Sequence, residues 1–256
     1  MGPLVQSLRD SIAQVTVICG HYGVGKTNFS VNLACDLADM GKHVTLIDLD
    51  IVNPYFRASE QRKLLEAHGI TLIAPVFAEA GSSLDVPSLR GSITSAVQDA
   101  WQKADEGRVV LIDAGGDDVG ATALGRFSEV VKLGDYAMLY LVNACRFDTQ
   151  QSSEAVEMLS QIQNACGLKA TGIVDNAHLK DETSIDLLCD AFDLASQVSQ
   201  ITQLPLVCKT AKRELASDLQ RALDDRIEHT KEGAGPDAPS RDFIYPVSIY
   251  VKNPWE

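Results

Sequence analysis

The run Gly20-His21-Tyr22-Gly23-Val24-Gly25-Lys26-Thr27 carries the residue types that hold a chain of phosphates. It fits the spacing Gly-x-x-x-x-Gly-Lys-Thr. Gly20, Gly23 and Gly25 let the backbone turn tightly, so that the amides from His21 to Asn28 converge on an anion. The positive end of a following helix adds to that field. Lys26 then reaches the β and γ phosphates, and the Thr27 hydroxyl serves as a Mg²⁺ ligand. A glycine turn that binds nothing uses the same residue types. The setting here, an apolar run before the turn and an amphipathic stretch after it, favours phosphate.

A divalent cation needs oxygen ligands beyond Thr27. The apolar run His43–Asp48 closes in Ile47-Asp48-Leu49-Asp50, and alternation sends Asp48 and Asp50 to the same side. A second apolar run closes in Val109-Val110-Leu111-Ile112-Asp113 and continues as Ala114-Gly115-Gly116. Asp113 is expected to hold Mg²⁺ directly or through water, and Gly116 to let backbone approach the γ phosphate. The plainer reading of Asp48 and Asp50 is strand termination, with Asp50 opening a turn before Pro54.

These groups need a scaffold that gathers strand ends. Strand-like runs fall at Val15–Cys19, His43–Asp48, Thr71–Ala74, Arg108–Asp113, Tyr136–Val142, Ala170–Val174 and Leu206–Cys208. Most are continuously apolar, as strands covered on both faces are. Helix-like stretches lie between them at Thr27–Met40, Ala58–His68, Ser88–Lys103 and Gln150–Ala165, and Ala211–His229 follows the last strand. This alternation predicts an α/β fold, a doubly wound and mainly parallel sheet with helices on both faces. In such sheets ligands collect at the carboxyl ends of the strands, where the motifs stand. Residues 1–230 read as one nucleotide-binding domain, 231–240 as a flexible linker rich in Gly and Pro, and 241–256 as a C-terminal arm or edge strand of the same domain. The small-residue stretch Ala78 to Pro87 reads as a surface loop.

Composition narrows the function. With 22 Lys and Arg against 35 Asp and Glu, the formal charge is −13, which disfavours nucleic acid as a partner. The late helix mixes Lys212, Arg213, Arg221 and Arg226 with acidic residues, so it is a solvated face and not a stripe for DNA. None of the six cysteines forms a CxxC pair, and buried thiols in a reducing compartment are expected. No run is long enough for a membrane span, the N-terminus has no signal-peptide core, and the tail is too rich in proline for a membrane-binding helix, so a cytoplasmic protein is expected.

The cradle, the Asp-Leu-Asp strand end and the Asp-x-Gly-Gly strand end, in this order, resemble the MinD/ParA class of P-loop ATPases (the deviant Walker A, SIMIBI-type proteins). The stretch Val44 to Arg57 is similar to a separate branch of that class. The resemblance implies Mg²⁺-dependent ATP hydrolysis, a dimer that sandwiches two ATP molecules, and a partner protein that the sequence does not reveal. It implies that Asp50 positions the attacking water, that Asp48 serves the metal and switch region, and that Asn176 reads the adenine, although a turn-forming role suits Asn176 equally. The class signature has a lysine where this chain has His21, and a neutral imidazole supplies no permanent charge. Arg57 and Arg146 are the candidate substitutes. The alternatives are a small-molecule ligase or kinase of related fold, a metal-centre maturation ATPase, and a nucleotide-binding regulator that does not hydrolyse.

Overall fold

A computed structural model describes residues 4–50, 58–74, 86–116, 118–146, 151–179, 182–229 and 243–251. Its strands are β1 (Val15–Cys19), β2 (His43–Asp48), β3 (Thr71–Ile73), β4 (Arg108–Asp113), β5 (Ala137–Val142), β6 (Gly172–Asp175), β7 (Leu206–Lys212) and β8 (Ile244–Val247). They form one sheet in the order β3-β2-β4-β1-β5-β6-β7-β8, and every pairing is parallel.

The helices are α1 (Gln6–Asp10), α2 (Lys26–Asp39), α3 (Arg62–Ala67), α4 (Val86–Gln102), α5 (Asp118–Gly125), α6 (Ser128–Val131), α7 (Ser152–Cys166), α8 (Ile185–Thr202) and α9 (Ala216–His229). Strand β1 shows why they cover both faces. Its Val15, Val17 and Cys19 pack in one apolar cluster with Ile93 of α4, Leu124 of α5 and Leu159 of α7. Its Ile18 packs in another with Leu8 of α1, Phe29 of α2 and Leu65 of α3. Successive residues of a strand point to opposite faces, so a strand buried on both is mostly apolar, and in β1 only Thr16 is polar, its hydroxyl donating to the Ala13 carbonyl at 2.9 Å. The expected doubly wound parallel sheet is the one observed.

Several boundaries differ from the sequence reading, each for a reason of packing. The expected helix Ala211–His229 begins only at Ala216, because Ala211 and Lys212 extend β7 opposite Pro246 and Val247 of β8. That partner is distant in sequence, so local pattern does not reveal it. The segment around Cys189, helical in its sequence pattern, is α8. Its buried Leu188, Ala191, Ala195 and Val198 keep helical spacing, and the Ser184 hydroxyl accepts from the Leu187 amide at 3.3 Å as its cap. Helix α4 starts at Val86, inside the expected loop Ala78–Pro87. The rest of that loop, residues 51–57 with Arg57, and the expected linker 231–240 lie outside the described residues. Among the described residues no helix is long and apolar enough to cross a membrane.

Candidate nucleotide site

The cradle connects β1, at the centre of the sheet, to α2. Gly25 is the cap of α2 and takes the left-handed conformation, with φ of 90°. A Cβ there would also meet the Asn176 amide at 2.5 Å, so the position admits only glycine. No side chain caps the first turn of α2, whose amides are the anion-binding end of the helix. Lys26 opens α2 and is buried, at 7% exposed. Its Nζ donates to the His21 carbonyl at 3.0 Å, inside the loop it belongs to. Gly116 closes over the same atoms. A Cβ on it would lie 2.6 Å from Lys26 Nζ and from the Tyr22 amide nitrogen.

The two acidic strand ends meet under this loop. β2 and β4 are neighbours with Asp48 opposite Asp113, and both residues are buried. Neither Asp113 oxygen has a hydrogen-bond partner among the described residues. The Asp113 carboxyl is pushed up to about 7, by burial first and by the Asp48 carboxylate second, while the Lys26 charge opposes both. With both carboxylates ionised, the pair carries more negative charge than Lys26 offsets, and a divalent cation fits that state. Thr27, Asp48 and Asp113 are the side chains that could hold it. Among the described residues no cluster of three or more His, Cys, Asp or Glu could hold a metal. The cation would thus take its remaining oxygens from phosphate and water, as Mg²⁺ commonly does.

The shifted carboxyl makes a stability prediction. Asp113 titrates near 7 when folded and near 4 when unfolded. Its contribution is therefore most favourable below the unfolded value and is lost as pH rises through about 7. Asp113→Asn is expected to raise Tm by several degrees at pH 8 in the absence of nucleotide and Mg²⁺, and to leave it nearly unchanged at pH 4. Thermal melts at the two pH values check this, and equal gains at both would show that Asp113 is not held in its neutral form.

Asp50 arrives by a different route from the one its spacing suggested. β2 ends at Asp48, so strand alternation does not reach Asp50. Instead the Asp50 amide donates to Asp48 Oδ1 at 3.1 Å, and the chain bends over the buried carboxylate. Asp50 lines a cleft of about 360 Å³ together with Tyr22, Gly23, Gly25, Lys26, Thr27 and Asn28. Val24 also belongs to the loop, but it is fully buried and is not among the residues that line the cleft.

Asn176, Thr210 and Arg146 line the same cleft. The Asn176 Nδ2 donates to the Val24 carbonyl at 2.6 Å, and its Oδ1 accepts from the Thr210 hydroxyl. Asn176 thus braces the cradle from β6 and β7. The guanidinium of Arg146 lies against Gly23, 3.3 Å from where its Cβ would stand, and its buried Nε has no partner among the described residues. Asn143, at the end of β5, sets both neighbours. Its carbonyl accepts from the Arg146 amide at 3.0 Å, and its Oδ1 accepts from the His178 amide at 3.3 Å. Thr210 and His178 are absent from the sequence candidates. Their available signal was position, since each follows the end of a strand run. Asn28 lines the cleft too, yet its side-chain amide bonds to the backbone of Ser248, Tyr250 and Val251.

A central-strand phosphate loop beside paired strand-end aspartates is matched by a family model for the CobQ/CobB/MinD/ParA nucleotide binding domain, over residues 15–194. The chain belongs to that family. An iron-sulfur cluster carrier protein of Deinococcus radiodurans is 30% identical over 168 residues, 59% of this chain and 48% of that protein. The antiactivator FleN of Pseudomonas aeruginosa is 57% identical over 37 residues, 14% of this chain and 13% of that protein. The chain thus spans about half the length, or less, of these relatives. Among solved structures, FtsY from Mycoplasma mycoides has a TM-score of 0.51 over 78% of this chain and 64% of that one, at 15% identity, a likeness of fold alone. The chain thus carries a MinD/ParA-type nucleotide-binding P-loop domain.

Proposed function

We propose that this MinD/ParA-type domain is a Mg²⁺-dependent ATPase whose hydrolysis drives a conformational or dimerisation switch. The observation that carries the reading is the buried Asp48–Asp113 pair beside Lys26, with Asp50 and Thr27 lining the same cleft as Lys26. The cradle amides and Lys26 bind the phosphates, and Thr27, Asp48 and Asp113 hold Mg²⁺. When bound, the cation offsets the charge that develops on the transferring phosphoryl group. Asp50 orients water for in-line attack, and Lys26 stabilises the phosphoryl oxygens as charge spreads onto them. Arg146 adds a second cation from the same chain, beside Gly23.

Phosphate release from ATP, measured with Mg²⁺ and with EDTA, tests the reading. Release is expected only with the metal. Tight ATP binding without release under either condition would instead identify a regulator that does not hydrolyse.

The iron-sulfur carrier relative makes a metal-centre role a second reading. Here five of the six cysteines are buried and the sixth, Cys145, is partly buried. Burial holds all six thiols above their ordinary pKa, away from the thiolate form that binds metal. The switch reading is therefore preferred, with a nucleotide-dependent homodimer and a protein partner as its expected assemblies.

A further inference from the structure

One face of α2 is fully committed to the end of the chain. Asn28, Asn32 and Asp36 recur every four residues and therefore stack along that face. The Asn32 amide group pairs with both backbone groups of Ser248: Nδ2 donates to its carbonyl at 2.8 Å, and Oδ1 accepts from its amide at 2.8 Å. Asn28 Nδ2 donates to the same carbonyl at 3.0 Å, and Asn28 Oδ1 accepts from the Tyr250 amide at 2.9 Å. One turn further along, the Tyr245 hydroxyl donates to Asp36 Oδ2 at 2.6 Å. Side chains of the phosphate-loop helix thus do for this arm what a neighbouring strand does inside a sheet.

The arm's other side faces the cleft. Val247, Ile249 and Val251 alternate along it, and all three line the cleft that holds Lys26 and Thr27. Tyr250, between them, packs into the apolar cluster around α2. Ile249 remains 39% exposed and lines the cleft. A purine nucleoside has a flat apolar face that must be covered once the phosphates are seated, and an apolar wall in the same cleft meets that need.

We propose that the arm Ser248–Val251 is a wall of the nucleoside subsite, with Ile249 and Val251 covering the apolar face of the base and ribose, and Asn28 and Asn32 holding that wall in register with the phosphate cradle. The proposal rests on the nucleotide-site reading above. It goes beyond that reading by giving the chain's last described segment a direct part in recognition. Asn28 follows Thr27 immediately, so the wall is anchored one residue from the cradle. By linkage, a bound nucleoside must then stabilise the docked arm as much as the arm stabilises the nucleoside.

The test separates the two ends of the ligand. Calorimetric affinities for ATP and for inorganic tripolyphosphate are compared in the full chain and in the variant Ile249→Ser/Val251→Ser. ATP affinity is expected to fall by about tenfold, in proportion to the apolar area no longer covered, while tripolyphosphate affinity stays within twofold. Equal ATP affinity in the two proteins would overturn the proposal. So would a parallel loss for both ligands, which would place the arm's effect on the cradle or the fold. A wild-type chain that bound neither ligand would instead overturn the nucleotide-site reading itself. A second measurement needs no variant: ATP, and not tripolyphosphate, is expected to slow hydrogen exchange at the Tyr250 and Val251 amides. Equal protection by both ligands would exclude a nucleoside-specific wall.

Discussion

Replacing Lys26 with alanine is expected to lower ATP affinity by about 100-fold or more, the loss of at least one charge-assisted contact to phosphate in a sheltered site. Lys26 is almost fully buried and donates to the His21 carbonyl. Its ammonium is thus held within the loop that it serves, and little reorganisation separates that position from the phosphates. The substitution has a second effect. The Lys26 charge opposes the upward shift of Asp113, so its removal leaves Asp48 and Asp113 less compensated and raises Asp113 further. Some loss of Tm at pH 8 is therefore expected, largest without Mg²⁺. Lys26→Met keeps the apolar stem packed and isolates the charge. Titration calorimetry on both variants, with circular dichroism to confirm folding, measures the effect. An ATP affinity within twofold of wild type in the methionine variant would remove Lys26 from the phosphate site.

Asp50→Ala is expected to act on turnover in place of binding. Asp50 lines the cleft, and its backbone amide is tied to Asp48 at 3.1 Å, so the side chain can be removed without disturbing that tie. ATP affinity should stay within a few-fold, and single-turnover hydrolysis should slow by about 100-fold or more, the scale of losing one positioning group for attacking water. Trapped ATP should then accumulate whichever assembly the triphosphate state favours. Light scattering on the variant with ATP reads the mass directly. A nucleotide-dependent doubling of mass supports the dimer switch. A monomer with slow turnover keeps the role of Asp50 and discards the dimer, and it leaves Arg146 as the cation beside Gly23 from the same chain. Normal turnover would exclude Asp50 as the group that positions water.

The local features of the site were legible from the chain alone. The cradle is contiguous, so its glycines, Lys26 and Thr27 are fixed by neighbours in sequence, and the strand and helix on either side carry their own periodicity. The limits of β1, β2 and β4 follow from continuous apolar runs that end in a charged or glycine residue, because a strand covered on both faces tolerates little else. Asp48 and Asp113 could be named for the same reason. What their names did not contain is their register. Only the pairing of β2 with β4 sets them opposite one another, and only burial there shifts the Asp113 carboxyl.

Tertiary structure decided the rest, wherever a residue's role depends on a partner far along the chain. Asn176 offered two readings in sequence, and the fold adds a third, a brace on the Val24 carbonyl 152 positions away. Asn28 looked like part of the cradle because it follows Thr27, yet its amide is used on Tyr250, 222 positions away. The burial of Lys26 depends in part on Gly116, from another strand end, which closes over it. The extension of β7 to Lys212 depends on β8, whose four residues carry no pattern strong enough to announce a parallel partner. A hydrogen bond across such distances leaves no periodic trace in sequence, because it constrains one residue at each end and nothing between. The chain by itself therefore specified the phosphate loop, the acidic strand ends and the doubly wound class. The closing of the C-terminal arm onto the loop's helix, and with it the shape of the cleft, was decided only when distant polar groups had to find partners inside a packed fold.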